Sequence, residues 1–363
     1  MSRSSGPELL IGGIGLLASG DAGTPRLDAS RILIRDGRVA AIGEAVAADK
    51  NARVVDARGG VVLPGLWDAY HVLAFGDHEP VLDAHGYLAR TAATGTTTVV
   101  SAGTLALPGR PRDARGATSL AILAARSWAH ERPGGITTHA GALIAVPGLA
   151  DPQLRAAADA GVRRLSIVEP FADRDEATRC VALARDNGFS VMADCGHGSL
   201  IVGASVREAL ALVRPDVSAC VNGPVALADG DIAWLLDQAS GCLGLTPTGS
   251  LAVATRVATA AAARGALGRL VISTRTPHAG MILPDGVGRF VAFLAAIPVV
   301  GPEAAIAIGS GNAARAYGAP GGRIAVGEPA DLIVLEGPTA LAALVDGAWR
   351  APEMVLVGGD VLS

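Results

Sequence analysis

A chain of 363 residues, half of them hydrophobic, can bury one large core and suits a single barrel-sized unit with a small accessory domain. Its net charge of −4, with no basic stripe, excludes a nucleic-acid surface, and the apolar start MSRSSGPELLIGGIGLL is too short and glycine-broken for a membrane span. Four cysteines (Cys180, Cys195, Cys220, Cys242) without C-x-x-C spacing read as reduced thiols, so the expected location is cytoplasmic.

In chain order, residues 8–60 read as short strands and turns, with Asp36-Gly37 between apolar runs as a hairpin signal. A hydrophobic strand then runs through a Pro-Gly bend into Asp68, Ala69, Tyr70, His71 and Val72. Alternation puts Tyr70 and Val72 on one face of that strand and His71 on the other. From there strands alternate with helical stretches, which argues for a parallel barrel. The eight candidate strands lie near 61–68, 96–102, 135–146, 162–169, 189–195, 216–221, 241–247 and 270–276. Helix-like runs at 79–94, 113–130, 152–160, 173–187, 204–213, 230–239 and 251–266 separate them, and an eighth near 284–298 precedes GPEAAIAIGSGNAARAYG. RDEATRCVALARDNG is the clearest, with acidic residues early and Asn-Gly as its stop. The closing segments GRIAVGEPADLIVLEGP and PEMVLVGGDVLS return to the short-strand texture of the start.

The run VVLPGLWDAYHVL (61–73) resembles the first-strand signature of the amidohydrolase superfamily, L-P-G-hydrophobic-hydrophobic-D-x-H-x-H. SAGTLALPGRPRDARGATSLAILAARSW, VRRLSIVEP, PDVSACVNGP and SGNAARAYGAPGGRIAVGEPADLIVLE narrow the resemblance to the enamidase-like, metal-dependent cyclic-amide hydrolases. The resemblance implies an α/β fold: a (β/α)8 TIM barrel over 61–319 beside a composite β-sandwich of 1–60 plus 320–363. It also implies metal ligands at strand ends, and there this sequence departs from the family. Tyr70 and Val72 stand where strand 1 should carry two histidines. Asp194 and Cys220 stand at the expected histidines of strands 5 and 6, and Arg275 at the general-base aspartate of strand 8. Of the inferred positions only Glu169, on strand 4, is kept, and the sole lysine, Lys50, lies upstream of the barrel, so no lysine can bridge two metals.

A hydrolytic metal site needs about three protein ligands and an open position. Arg275 is a permanent cation that would repel a divalent ion, so a Glu169–Arg275–Asp194 cluster is expected in place of metals, with no cofactor. His139, His197 and His278 follow strand ends and could line the pocket mouth; His71 is expected to pack on the outer face and His78 to sit in a solvated loop. Tyr70, Asp194, Cys220 and Arg275 are the candidates for any remaining catalysis, although barrel cysteines are more often small buried hydrophobes than nucleophiles. The leading expectation is a silent structural or regulatory subunit, oligomeric, possibly beside an active amidohydrolase paralogue. The alternatives are a metal-independent hydrolase of C–N bonds in a small amide, lactam or carboxylate, and a small-carboxylate binding protein using Arg275 as a clamp.

Overall fold

The computed structural model describes residues 8–72, 84–103, 109–225, 227–276, 283–337 and 339–362. The N-terminal strands are β1 (Leu9–Gly12), β2 (Leu16–Ala18), β3 (Arg26–Leu27), β4 (Arg31–Arg35), β5 (Arg38–Gly43), β6 (Arg53–Asp56) and β7 (Val61–Pro64). The expected hairpin joins β4 to β5 at Asp36-Gly37, where both residues take positive φ (51° and 74°), the backbone a two-residue turn demands.

Barrel strands follow as β8 (Leu66–His71), β9 (Thr96–Ser101), β10 (Thr137–His139), β11 (Leu143–Ile144), β12 (Arg164–Ile167), β13 (Ser190–Asp194), β14 (Val217–Ala219), β15 (Cys242–Leu245) and β16 (Leu270–Ile272). All neighbouring pairs run parallel, and β10 with β11 makes one broken third strand: β10 pairs with β9, and β11 with β12. Closure comes just past β16, where Arg275 N–H donates to Tyr70 O (2.9 Å) and Val72 N–H to Thr276 O (2.9 Å). The barrel is wrapped by α1 (Ala84–Ala93), α2 (Ala114–His130), α3 (Asp151–Asp159), α4 (Arg174–Asp186), α5 (Val206–Val213), α6 (Asp229–Gln238), α7 (Leu251–Ala262) and α8 (Gly286–Ala295). After α9 (Gly301–Ile308) and α10 (Gly311–Ala316) come β17 (Leu332–Leu335), α11 (Ala340–Val345), β18 (Met354–Val357) and β19 (Asp360–Val361).

Two sheets, ordered β5-β4-β1-β6 and β19-β18-β17-β7-β2-β3, face each other across Leu9, Ile11, Ile32, Val62, Leu332 and Leu356, which form their own core. This is the composite sandwich, with two corrections to the expected boundaries. The run expected as one barrel strand from 61 is two strands. β7 belongs to the sandwich, pairing antiparallel with β17 and parallel with β2. The barrel begins at Leu66, whose N–H bonds Gly95 O. Gly65 is the crossing point, and it must be glycine: a Cβ there would lie 2.1 Å from Thr97 Oγ1. The second correction concerns 320–363, which is not all sandwich. α11 packs on α8, and Trp349 lies so close to Gly288 that a Cβ there would meet its ring at 2.2 Å.

Among the described residues, no helix is long and apolar enough to cross a membrane.

Candidate functional site at the barrel mouth

Strand β8 carries a bulge. Asp68 pairs with Val99 and His71 with Ser101, so Ala69 and Tyr70 together face Val100. The extra residue turns Tyr70 inward, and Trp67, Ala69, Tyr70 and Val72 all join the lumen cluster with Ala142, Cys220 and Val271. Asp68 and His71 consequently share the outer face: His71 Nδ1 lies 2.9 Å from Asp68 Oδ2, and its ring stacks on Tyr87 of α1 with centroids 5.9 Å apart. His71 is thus the packed, hydrogen-bonded residue its strand position implied, and His78 and His278 lie outside the described residues.

Arg275 and Asp194 meet in the lumen. Their side chains are 10% and 1% exposed, and Arg275 Nε stands 3.0 Å from Asp194 Oδ2. The pair is ionic by distance, but the N–H is not aimed at the oxygen, and neither atom makes a hydrogen bond. Asp194 Oδ1 accepts from Gly196 N–H at 3.0 Å. Cys220 and Arg275, at the ends of the β14 and β16 segments, hold φ of +57° and +59°, a strained conformation for side-chain-bearing residues. The Cys220 N–H donates to Ser273 Oγ at 3.2 Å, which anchors one of these turns.

Burial, reinforced by the Asp194 charge, pushes the Cys220 thiol well above its usual range and Cys195 up to about 12. Both are therefore neutral thiols at physiological pH and poor nucleophiles. Tyr70 is driven well upward by burial and then by the Asp194 charge, so it stays a phenol. Ser166 Oγ lies beside it, close enough to favour the phenolate slightly, yet neither oxygen has an aligned hydrogen bond.

Glu169 does not join the arginine–aspartate pair, contrary to the expected triad. Its side chain is 47% exposed and turns to the rim, where Arg110 Nη2 lies 2.8 Å and Arg112 Nη2 3.6 Å away. These two arginines, on the segment before α2, out-compete Arg275 because Glu169 lies two residues past the end of β12, beyond the lumen. His197 is at the mouth but exposed, in the turn after Asp194.

His139 is displaced from the expected rim. The third strand breaks at Gly141 (φ +79°) and ends at Ile144, so His139 sits below the mouth, stacked on Trp67 at 5.4 Å. Burial, then the nearby Arg164 charge, press its pKa down to about 4. The unfolded chain, at the ordinary value near 6.5, then binds more protons between pH 6.5 and 4, so this group's effect is a loss of stability as pH falls through that window. Between pH 7.5 and 4.5 the wild type should lose about 2–3 kcal/mol more than His139→Gln, measured by urea unfolding at both pH values. Equal losses in the two proteins would show that His139 does not stay neutral in the fold.

The family's metal chemistry asks for a set of donors that these residues do not supply. Among the described residues, no group of three His, Cys, Asp or Glu stands together as a metal cage. Asp194 is already paired with a guanidinium, and Glu169 is held at the rim by Arg110. The described residues of the site do not fit a divalent ion. Sequence reasoning missed Ser166, Ser273 and Arg110; the first had a signal, since Arg164 and Ser166 are polar at period two in the otherwise apolar RLSIV.

No family model matches the sequence. The chain is 31% identical over 309 residues to enamidase of Eubacterium barkeri, covering 83% of this chain and 80% of that protein. The crystal structure of enamidase, described as a member of the amidohydrolase superfamily, aligns over 98% of this chain and 95% of its own, with a TM-score of 0.91 and 31% identity. A prolidase complexed with N-methylphosphonate-L-proline (TM-score 0.68, 16% identity, covering 98% and 99%) shares the fold. So does molinate hydrolase (TM-score 0.66, 17% identity, covering 99% and 95%). With a TIM barrel, a β-sandwich of both terminal segments and this degree of identity, the chain belongs to the amidohydrolase superfamily as an enamidase-like member.

Proposed function

We propose that this enamidase-like protein is a non-catalytic member of its superfamily, a structural or regulatory subunit that works beside an active amidohydrolase paralogue. The observation that carries the reading is the buried Arg275–Asp194 pair, which puts a fixed positive charge where a hydrolase of this family would hold its metal. Retention of the whole enamidase architecture beside a rebuilt mouth supports a role for the outer surface rather than the lumen. A metal-independent hydrolase has less support, because Cys220 is a neutral thiol and Tyr70 a neutral phenol, leaving no activated nucleophile among them. A ligand-binding role for the mouth is the second reading, favoured by the unpartnered Tyr70 Oη and Ser166 Oγ in the lumen. Arg275 is a weaker carboxylate clamp than the sequence suggested, since Asp194 already faces it.

The deciding experiment is elemental analysis of protein purified without chelator and incubated with zinc, manganese or iron. The expected content is far below one equivalent of any metal, and co-purification with the paralogue should persist when chelator is added. Stoichiometric metal would return the chain to the metal-dependent hydrolases and end this reading.

A further inference from the structure

We propose that the space between the barrel floor and the sandwich is a binding site for a small oxyanion. A cavity of about 240 Å³ lies there, walled by Trp67, Thr98 and His139 of the barrel, by Arg132, and by Arg38 and Asp331 at the sandwich. It faces the N-terminal ends of the strands and is separate from the mouth. The volume falls below the roughly 300–1,000 Å³ of pockets for drug-sized ligands, so the occupant has few non-hydrogen atoms.

The floor is rich in donors without acceptors. Trp67 is 1% exposed and its indole Nε1–H has no partner, although a buried indole N–H ordinarily finds one. Behind His139, Arg164 donates from Nη2 to His139 O (2.7 Å) and Ala140 O (3.0 Å), and its buried Nε has no partner. Among the described residues no carboxylate pairs with Arg164. Arg38 and Arg132 line the space together with two carboxylates, Asp36 and Asp331, and Arg164, buried beside the neutral His139, adds a guanidinium to this end of the barrel. Asp331 is itself occupied by Gly358 N–H at 2.7 Å.

Unpartnered buried donors cost stability, and a small oxyanion offers several acceptors and a negative charge at once. A neutral apolar molecule would leave those N–H groups unpaired. Tyr317, whose hydroxyl donates to Ala69 O at 2.6 Å, is a neutral phenol and contributes no charge.

The test titrates the full-length protein with inorganic phosphate, and separately with acetate, against sodium chloride at equal ionic strength. The probe is the Trp67 indole N–H resonance, assigned by its loss in Trp67→Phe. The expected result is a saturable shift of that resonance with at least one of the two oxyanions, matched by the His139 ring signals and absent with chloride. Trp67→Phe keeps an aromatic ring in place of the indole and removes the N–H, so it should weaken the oxyanion about tenfold, read from the His139 signals. A non-saturating drift with both oxyanions, or the same shift with chloride, would overturn the proposal. The wild-type titration alone decides the matter if the variant does not fold. Neither outcome depends on whether the mouth binds metal.

Discussion

Replacing Arg275 by Met should destabilise the fold by about 3–5 kcal/mol, because it strands the Asp194 carboxylate, 1% exposed, without its cation. Met is the informative substitution. At φ +59° it bears the same backbone strain as arginine, so that cost cancels, whereas glycine would relieve about 1–2 kcal/mol and hide part of the loss. Asp194→Asn on the same background should restore most of the stability, since both charges are then gone and the Gly196 N–H keeps an oxygen acceptor. The double-mutant cycle should give a coupling of about 2–3 kcal/mol, measured by urea unfolding at neutral pH. Additive single and double losses, within about 0.5 kcal/mol, would mean that the two groups do not act as a pair. The case against a metal at this position would then lose its physical basis.

The barrel and its helices were legible because periodicity and end signals agree along most of the chain. Asp173 opens α4 by accepting from Glu176 N–H, and Asn187 closes it, where the sequence placed an acidic start and an Asn-Gly stop. Asp36-Gly37 likewise formed the hairpin its residues demand. Legibility failed where local pattern is silent about partners. Both β7 and the start of β8 are buried throughout, so the apolar run across Gly65 has no alternation to reveal that it changes sheets. The bulge at Ala69–Tyr70 leaves no mark in composition either, yet it sends Tyr70 into the lumen and lets Asp68 reach His71. Glu169 was expected to meet Arg275, but its partner is Arg110, 59 residues earlier, and no spacing rule connects them. Asp194 and Arg275 could be paired from sequence because the barrel itself brings the ends of strands 5 and 8 to one lumen.

Asp68 is the residue on which this geometry hangs, and Asp68→Ala should cost about 3–5 kcal/mol. Its carboxylate is buried and accepts from Thr274 N–H (3.0 Å), Tyr70 N–H (3.2 Å) and the Thr274 hydroxyl, and it pairs with His71 Nδ1 at 2.9 Å. Thr274 in turn meets Thr276 at 2.6 Å, and Thr276 Oγ1 accepts from Tyr87 Oη at 3.2 Å. Arg275 lies between those two threonines, so Asp68 fixes the chain on either side of the strained residue and ties the last barrel strand to the first. Removing it takes the side-chain acceptor from two backbone N–H groups and from an imidazole in the interior, the costly direction of hydrogen-bond loss. Asp68→Asn keeps one acceptor oxygen and should recover part of the loss. Urea unfolding measures the stability, and amide exchange at Thr274, Arg275 and Thr276 measures the seam. Protection at those amides should fall more than protection in β12 and β13, where the strand pairing is not touched. An Asp68→Ala protein that loses under about 1 kcal/mol, with the seam as protected as before, would mean that strand pairing alone closes the barrel and holds Arg275 in place.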